Sequence, residues 1–181
     1  GRPLSMLSFA LDHVLSGDIN PLYIKFVNAC LHLIIAVCIA SFLQVVGAAS
    51  PALNWTPQRA TAVAALAAVL WLLHPLHVST VLYAVQRMTQ LATLFCLLGL
   101  YLWFRQRQTW LENAPEPEAV SRGLLVLLLM TLLAGLSKEN GLLLPWLVAI
   151  TELCLFRFVV AGQVSTRACN FTLALLLAPV A

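Results

Sequence analysis

"ATAVAALAAVLWLLHPLHVSTVLYAVQRMTQLATLFCLLGLYLWF", residues 60–104, is apolar at both ends and polar in the middle. As one helix its 45 residues would extend roughly 67 Å, at ~1.5 Å per residue. A bilayer core is only ~30 Å thick, so the run predicts two crossings with a fold-back between them. The fold-back belongs near residues 74–87, where Pro75 interrupts the helix and His74, His77, Gln86 and Arg87 interrupt the apolar run.

The same pattern continues on both sides. Upstream, "YIKFVNACLHLIIAVCIASFLQVVGAA" (about 23–49) is long enough for a span; downstream come "GLLVLLLMTLLAGL" (123–136) and "LLLPWLVAITELCLFRFVV" (142–160). "SKENG" separates the last two, with Asn140-Gly141 as a helix stop. A sixth run opens near Cys169 and is truncated. Of the 181 residues 61% are hydrophobic and 9% charged, against about 25% charged in a soluble domain. No globule hides that much apolar side chain, so the class is integral membrane. The net charge of +3 is small and scattered, which argues against a nucleic-acid partner.

Ahead of the first span, "PLSMLSFALDHVLSG" sets Leu4, Leu7, Leu11, Val14 and Leu15 at helical spacing, with Ser5, Ser8 and Asp12 largely opposite. That predicts an amphipathic helix lying in the membrane interface. The fold expected is therefore all-α: a polytopic membrane helix bundle of about five full spans plus a truncated sixth, with an N-terminal amphipathic interfacial helix. Residues 1–181 read as a single membrane module and are expected to be an internal fragment of a longer chain, since Gly1 opens it without a methionine or signal-peptide pattern and "LALLLAPVA" closes it within an apolar run. The five cysteines form neither a CxxC nor a zinc spacing, and an odd number argues against a disulfide framework. They read as small hydrophobes. His74 and His77 have ligand-like spacing without a third ligand, so no metal is expected.

Orientation follows from Lys and Arg near the span ends. Arg59, Arg105, Arg107, Arg122, Arg157 and Arg167 fall on one side; Arg2, Lys25, Arg87 and Lys138 fall on the other. The excess puts the acidic loop "NAPEPEAVS" in the cytoplasm, and the 74–87 fold-back and "SKENG" outside.

If residues 77–87 are helical, His77, Thr80, Ala84 and Arg87 share about 80° of arc. At the next hairpin on the same side stand Lys138, Glu139 and Asn140. Cations in such places usually face a cavity or a partner. Arg offers a bidentate fork for phosphate and Lys a point charge, so Arg87 and Lys138 are candidates for binding a phosphate; as snorkelling anchors they would do nothing of the kind. Glu152 lies inside the fifth span, pointing about 140° away from Arg157, and snorkelling to the cytoplasmic side is the plain reading for it. Asn28 and His32 share a face of the first span and read as interhelical glue.

Taken together, "RPLSMLSFALD", "FVNACLHLI", "LHPLHVSTVLYAVQRMTQLATLF" and "LSKENGLLLPWLVAITELCLFR" resemble one family, over about residues 2–158. It is the multi-span membrane part of the GT-C glycosyltransferases that carry C-terminal tetratricopeptide repeats, bacterial relatives of eukaryotic O-mannosyltransferases. The resemblance implies a hexosyltransferase that takes a polyprenyl-phosphate-linked sugar as donor and a protein or glycan hydroxyl as acceptor. The active face would be periplasmic or extracellular, at a bacterial inner membrane. It implies an inverting reaction whose carboxylate base lies upstream of Gly1, in a first outer loop that is missing here along with the first span and the repeats. The fragment alone would then be inactive. Arg87 and Lys138 match positions suited to the donor phosphate; Arg2, His74, His77, Glu139 and Asn140 adjoin them as possible lining. A transporter or channel piece with Glu152 and His32 in an ion or proton path is the alternative; polar groups gathered at one boundary favour the enzyme.

The topology is testable through the sequons at Asn54 and Asn170 ("NWT", "NFT"). In glycosylating microsomes, with the first span restored, both should stay unmodified. A glycan on Asn54 would invert the orientation.

Overall fold

The computed structural model describes residues 2–17, 20–49, 55–166 and 170. Its helices are α1 (Pro3–Ser16), α2 (Pro21–Ala49), α3 (Pro57–Leu72), a short α4 (Val78–Leu82), α5 (Arg87–Glu112), α6 (Pro117–Ser137) and α7 (Leu144–Thr151). Four segments are long and apolar enough to cross a membrane: Pro21–Gly47, Ala84–Leu111, Pro117–Ser137 and Glu139–Phe156. The broken pair Pro57–Leu72 and Pro75–Leu82, bent by 53°, makes a fifth if it counts as one span. The all-α membrane bundle expected from the hydropathy is the one found. The run from Cys169 and the sequon at Asn54 lie outside the described residues.

α5 is the central member, packed between α2 and α6, with α3 against the far side of α2. Ala60, Ala64 and Ala68 are buried on one stripe of α3, small residues that let apolar helices approach closely. Leu100, Trp103 and Leu127 meet Leu144 and Val148 where α5, α6 and α7 converge.

Local chemistry sets the breaks. Pro75 bars His74 from the helical region, and His74 is extended (φ −65°, ψ 128°), its Nδ1 accepting from the Leu76 N–H as a cap. A second break falls at Tyr83 (ψ 124°), where the sequence carries neither Pro nor Gly. The carbonyls of Val81 and Tyr83 both accept from Asn28 Nδ2 on α2, at 3.3 and 3.2 Å, and the Tyr83 carbonyl also takes the Gln86 N–H at 3.1 Å. Backbone groups at membrane depth must be satisfied by protein, and Asn28 does this for the break. The expected single stripe from His77 to Arg87 is therefore corrected: the segment is two short turns and α4, and Arg87 opens a new helix.

Arg87 is also not at a water boundary. It is fully buried, donating from Nε to Asn28 Oδ1 (2.9 Å), from Nη2 to the Ile24 carbonyl (3.0 Å) and from Nη1 to the Asp12 carboxylate. Its guanidinium lies 4.7 Å from the centre of the Phe9 ring. One side chain thereby ties α1, α2 and α5 together. α1 is amphipathic as expected, and at 14 residues (about 21 Å) it is too short to span. Its polar face, however, turns into the bundle: Ser5 donates to the Ser137 carbonyl (2.9 Å) and Asp12 meets Arg87, while Leu7, Leu11, Val14 and Leu15 point outward.

Two further differences concern the last hairpin. α6 stops at Ser137 because Lys138 is extended (φ −160°, ψ 147°); Gly141 is no left-handed cap but lies in a 3-10 turn, Glu139–Leu143. Glycine is needed there for space, since a Cβ would stand 2.6 Å from the Ala134 Cβ and nearer still to that residue's backbone. The fifth span ends at Phe156 in a π turn, and Arg157 takes a left-handed conformation. A hairpin unsignalled in the sequence follows, β1 (Val159–Val160) against β2 (Gln163–Val164). Its turn caps α5: the Ala161 and Gly162 N–H groups donate to the Trp110 and Leu111 carbonyls at 2.9 and 3.2 Å.

Removing one partner of a buried ion pair costs about 3–5 kcal/mol. Asp12→Ala should lower stability by that order in detergent unfolding, and Asp12→Asn by less because it keeps an acceptor. Gly141→Val should lower the unfolding midpoint more than Gly135→Ala, whose new Cβ meets only the movable Leu142 side chain.

Candidate functional site

The polar side chains collect at the two ends of α5. Arg87 and Arg107 are 20 residues apart on that helix, about 30 Å, which is the thickness of a bilayer core.

At the Arg87 end the start of α1 meets the α6–α7 turn. Arg2 holds Glu139 through two nitrogens, Nε to Oε1 at 3.2 Å and Nη2 to Oε2 at 3.0 Å, with both side chains partly in solvent. Arg2 Nη1 also reaches Met88 Sδ (3.2 Å), next to Arg87 in the chain. Lys138 Nζ donates to Thr89 Oγ1 at 2.9 Å, and Thr89 Oγ1 donates to Gln86 Oε1 at 3.2 Å. Among the described residues Lys138 makes no ion pair; its nearest polar partner is a neutral hydroxyl. Half-buried and hydrogen-bonded to a neutral hydroxyl, that ammonium stands near the Glu139 carboxylate without a direct ion pair among the described residues, and is a group at this corner able to receive an anion. Asn140 is exposed on the same turn. Arg2, Lys138, Glu139 and Asn140 are thus brought together as expected, with Arg87 buried behind them and its three nitrogens already engaged.

His74 and His77 go elsewhere. The His77 ring stands 5.2 Å from His32 and 4.5 Å from Trp71, and His74 flanks it at 6.1 Å. The three histidines line a cavity of about 360 Å³ walled by Leu72, Val78 and Val81. His32 Nε2 lies 3.2 Å from the Leu72 carbonyl, the interhelical role read from its spacing with Asn28. Among the described residues no three His, Cys, Asp or Glu side chains are placed to hold a metal ion.

At the other end the reading of Glu152 is corrected. It does not snorkel: it is 1% exposed, and Arg107, counted beforehand among the loop cations, is its buried partner. Arg107 Nη2 donates to Oε2 (3.0 Å) and Trp103 Nε1 to Oε1 (3.1 Å). Arg157 is exposed. His32 belongs to the Arg87 end, so His32 and Glu152 stand at opposite ends of the bundle and share no contact among the described residues.

Sequence reasoning missed Asp12 as the partner of Arg87 and Arg107 as the partner of Glu152. The signal was available: a charge inside a span needs an opposite charge, and each segment of this chain offers few.

Comparison with known proteins adds one relationship. The chain is 27% identical over 154 residues to mouse Protein O-mannosyl-transferase TMTC4 and 29% identical over 157 residues to the human protein. Each alignment takes in 84% of this chain but only 21% and 20% of the relative, so the chain spans about a fifth of their length. No family model and no solved structure matches. Over most of its own length, then, this membrane helix bundle is similar to one segment of the protein O-mannosyl-transferases TMTC4.

Proposed function

We propose that the chain is the donor-binding part of an integral-membrane glycosyltransferase. Its donor is a polyprenyl-phosphate-linked sugar, its acceptor a hydroxyl, in the first place on a protein, and its active face is non-cytoplasmic. The observation that carries this reading is Lys138, a half-buried cation whose hydrogen-bond partner is the neutral Thr89 hydroxyl, set beside Arg2 at one end of a set of spans. The similarity to O-mannosyl-transferases supports the reaction class.

In such a transfer the acceptor hydroxyl gives its proton to a carboxylate base and its oxygen attacks the anomeric carbon. The bond from that carbon to the phosphate oxygen breaks, and negative charge grows on the departing lipid phosphate. A fixed ammonium at that oxygen stabilises the transition state more than the ground state. Lys138 supplies it, and Arg2, partly exposed and already presenting a planar fork to Glu139, offers a second cation. Arg87 enters as the residue that holds this corner in shape: to touch a phosphate it would first have to leave Asp12. With the buried Arg87 and Arg107 set aside, the cations that are exposed or partly exposed still lean the same way: Arg59, Arg105, Arg122 and Arg157 against Arg2, Lys25 and Lys138 among the described residues.

In the full-length protein Lys138→Ala should lower kcat/KM for a polyprenyl-phosphate sugar about ten- to a hundredfold, the loss of one charge-assisted contact. Arg2→Ala should cost less, and the double variant less than the product if both cations serve one phosphate. Arg87→Ala should instead lose folded protein in the membrane, whereas Arg87→Lys should retain part of it. Wild-type kcat/KM in Lys138→Ala would remove the donor site from this corner.

A further inference from the structure

Among the described residues the bundle holds three ion pairs, and they differ in their access to water. In Arg107–Glu152 each side chain is 2% exposed; in Arg87–Asp12 the arginine is closed off and the aspartate keeps 11% of its side chain in solvent. In the third pair Arg2 and Glu139 keep 35% and 68%. Charges that stay in contact with water part and rehydrate at little cost, whereas a buried pair does not. Arg2–Glu139 is therefore the pair open to exchange.

Its geometry is that of an anion seated between cations. Oε1 of Glu139 takes Nε and Nη2 of Arg2 at 3.2 and 3.1 Å, Oε2 takes Nη2 at 3.0 Å, and the Lys138 ammonium stands near the same carboxylate. A planar guanidinium fork accepts phosphate as it accepts carboxylate, through two oxygens. Glu139 is not needed to keep that fork in place. α1 is anchored separately, by Asp12 on Arg87 and by Ser5 on the Ser137 carbonyl, and Arg2 Nη1 also donates to Met88 Sδ. Glu139 itself opens a 3-10 turn with most of its side chain in solvent, so turning that one side chain outward frees the fork.

We infer that Glu139 stands in the place the lipid phosphate takes: the phosphate displaces it from Arg2, and the returning carboxylate helps to expel the phosphate after transfer. This rests on the reading of the corner as a donor site. The return matters because the released lipid phosphate is a monoester and carries more negative charge than the donor's diester. On bare cations it would bind more tightly than the donor and stall turnover. A carboxylate tethered at the same corner competes with it at a high effective concentration.

The test is the binding of undecaprenyl phosphate to the full-length protein in detergent, with thermal unfolding measured beside it. Glu139→Gln and Glu139→Ala should each bind about two- to fivefold tighter than wild type, the scale of one exposed ion pair removed from competition. Undecaprenyl phosphate should inhibit sugar transfer by these variants at correspondingly lower concentration. If Glu139 only braces α1 against the α6–α7 turn, both variants will melt lower and bind no tighter, and that result overturns the inference. Lys138→Ala separates the two levels of the argument. Weaker binding there beside unchanged binding in Glu139→Gln sinks the exchange and leaves the donor site standing; unchanged binding in both removes the donor site as well.

Discussion

A guanidinium with no access to water sets the form of one whole end of this bundle. Arg87 has no water to fall back on, so each of its nitrogens must find an acceptor inside the protein. The acceptors come from three segments: the Asp12 carboxylate on α1, and the Asn28 amide and Ile24 carbonyl on α2. An amphipathic helix that could have lain anywhere in the interface is thereby fixed in place, polar face inward. Arg2, at the head of the same helix, is held where it can reach Glu139. Arg2 thus depends on the buried arginine for its position through α1.

Asn28 links that clamp to the break in the chain. Its side-chain oxygen accepts from Arg87 and its nitrogen donates to the Val81 and Tyr83 carbonyls at the break, while its own carbonyl takes Gln90 Nε2 at 3.0 Å. A bend of this kind in a membrane is stable only if a neighbour supplies the missing partners. Here one amide supplies them and also orients the arginine, so the fold-back and the clamp form one cooperative unit. The division of labour across the bilayer follows. The Arg87 end keeps a half-buried ammonium at its rim, hydrogen-bonded to a hydroxyl, and the Arg107 end closes its charges on each other, with the guanidinium 4.7 Å from the Phe156 ring and 5.5 Å from the Trp110 ring.

The four to five spans, the amphipathic helix, the position of the fold-back and the placing of Lys138, Glu139 and Asn140 at the turn between two spans were legible in the sequence, because they depend on hydropathy and on short-range spacing. Pro75 announces its break by its own chemistry. The four quoted segments also resemble the family to which the O-mannosyl-transferases belong, and the similarity over 84% of the chain agrees with that relationship.

What only the tertiary structure decided is which charge meets which. Asp12 and Arg87 are 75 residues apart, and Arg107 and Glu152 are 45 apart; no local pattern joins them. The break at Tyr83 has no local cause either, since it is made tolerable by Asn28 on another helix. The small hairpin after Phe156 is held by the last carbonyls of α5, a partner that sequence reading cannot see. Apolar patterning is summed along the chain and survives in one dimension. Pairing of buried polar groups is a three-dimensional constraint, set by helix packing, and it is what engages Arg87 with Asp12, Asn28 and the Ile24 carbonyl inside the bundle.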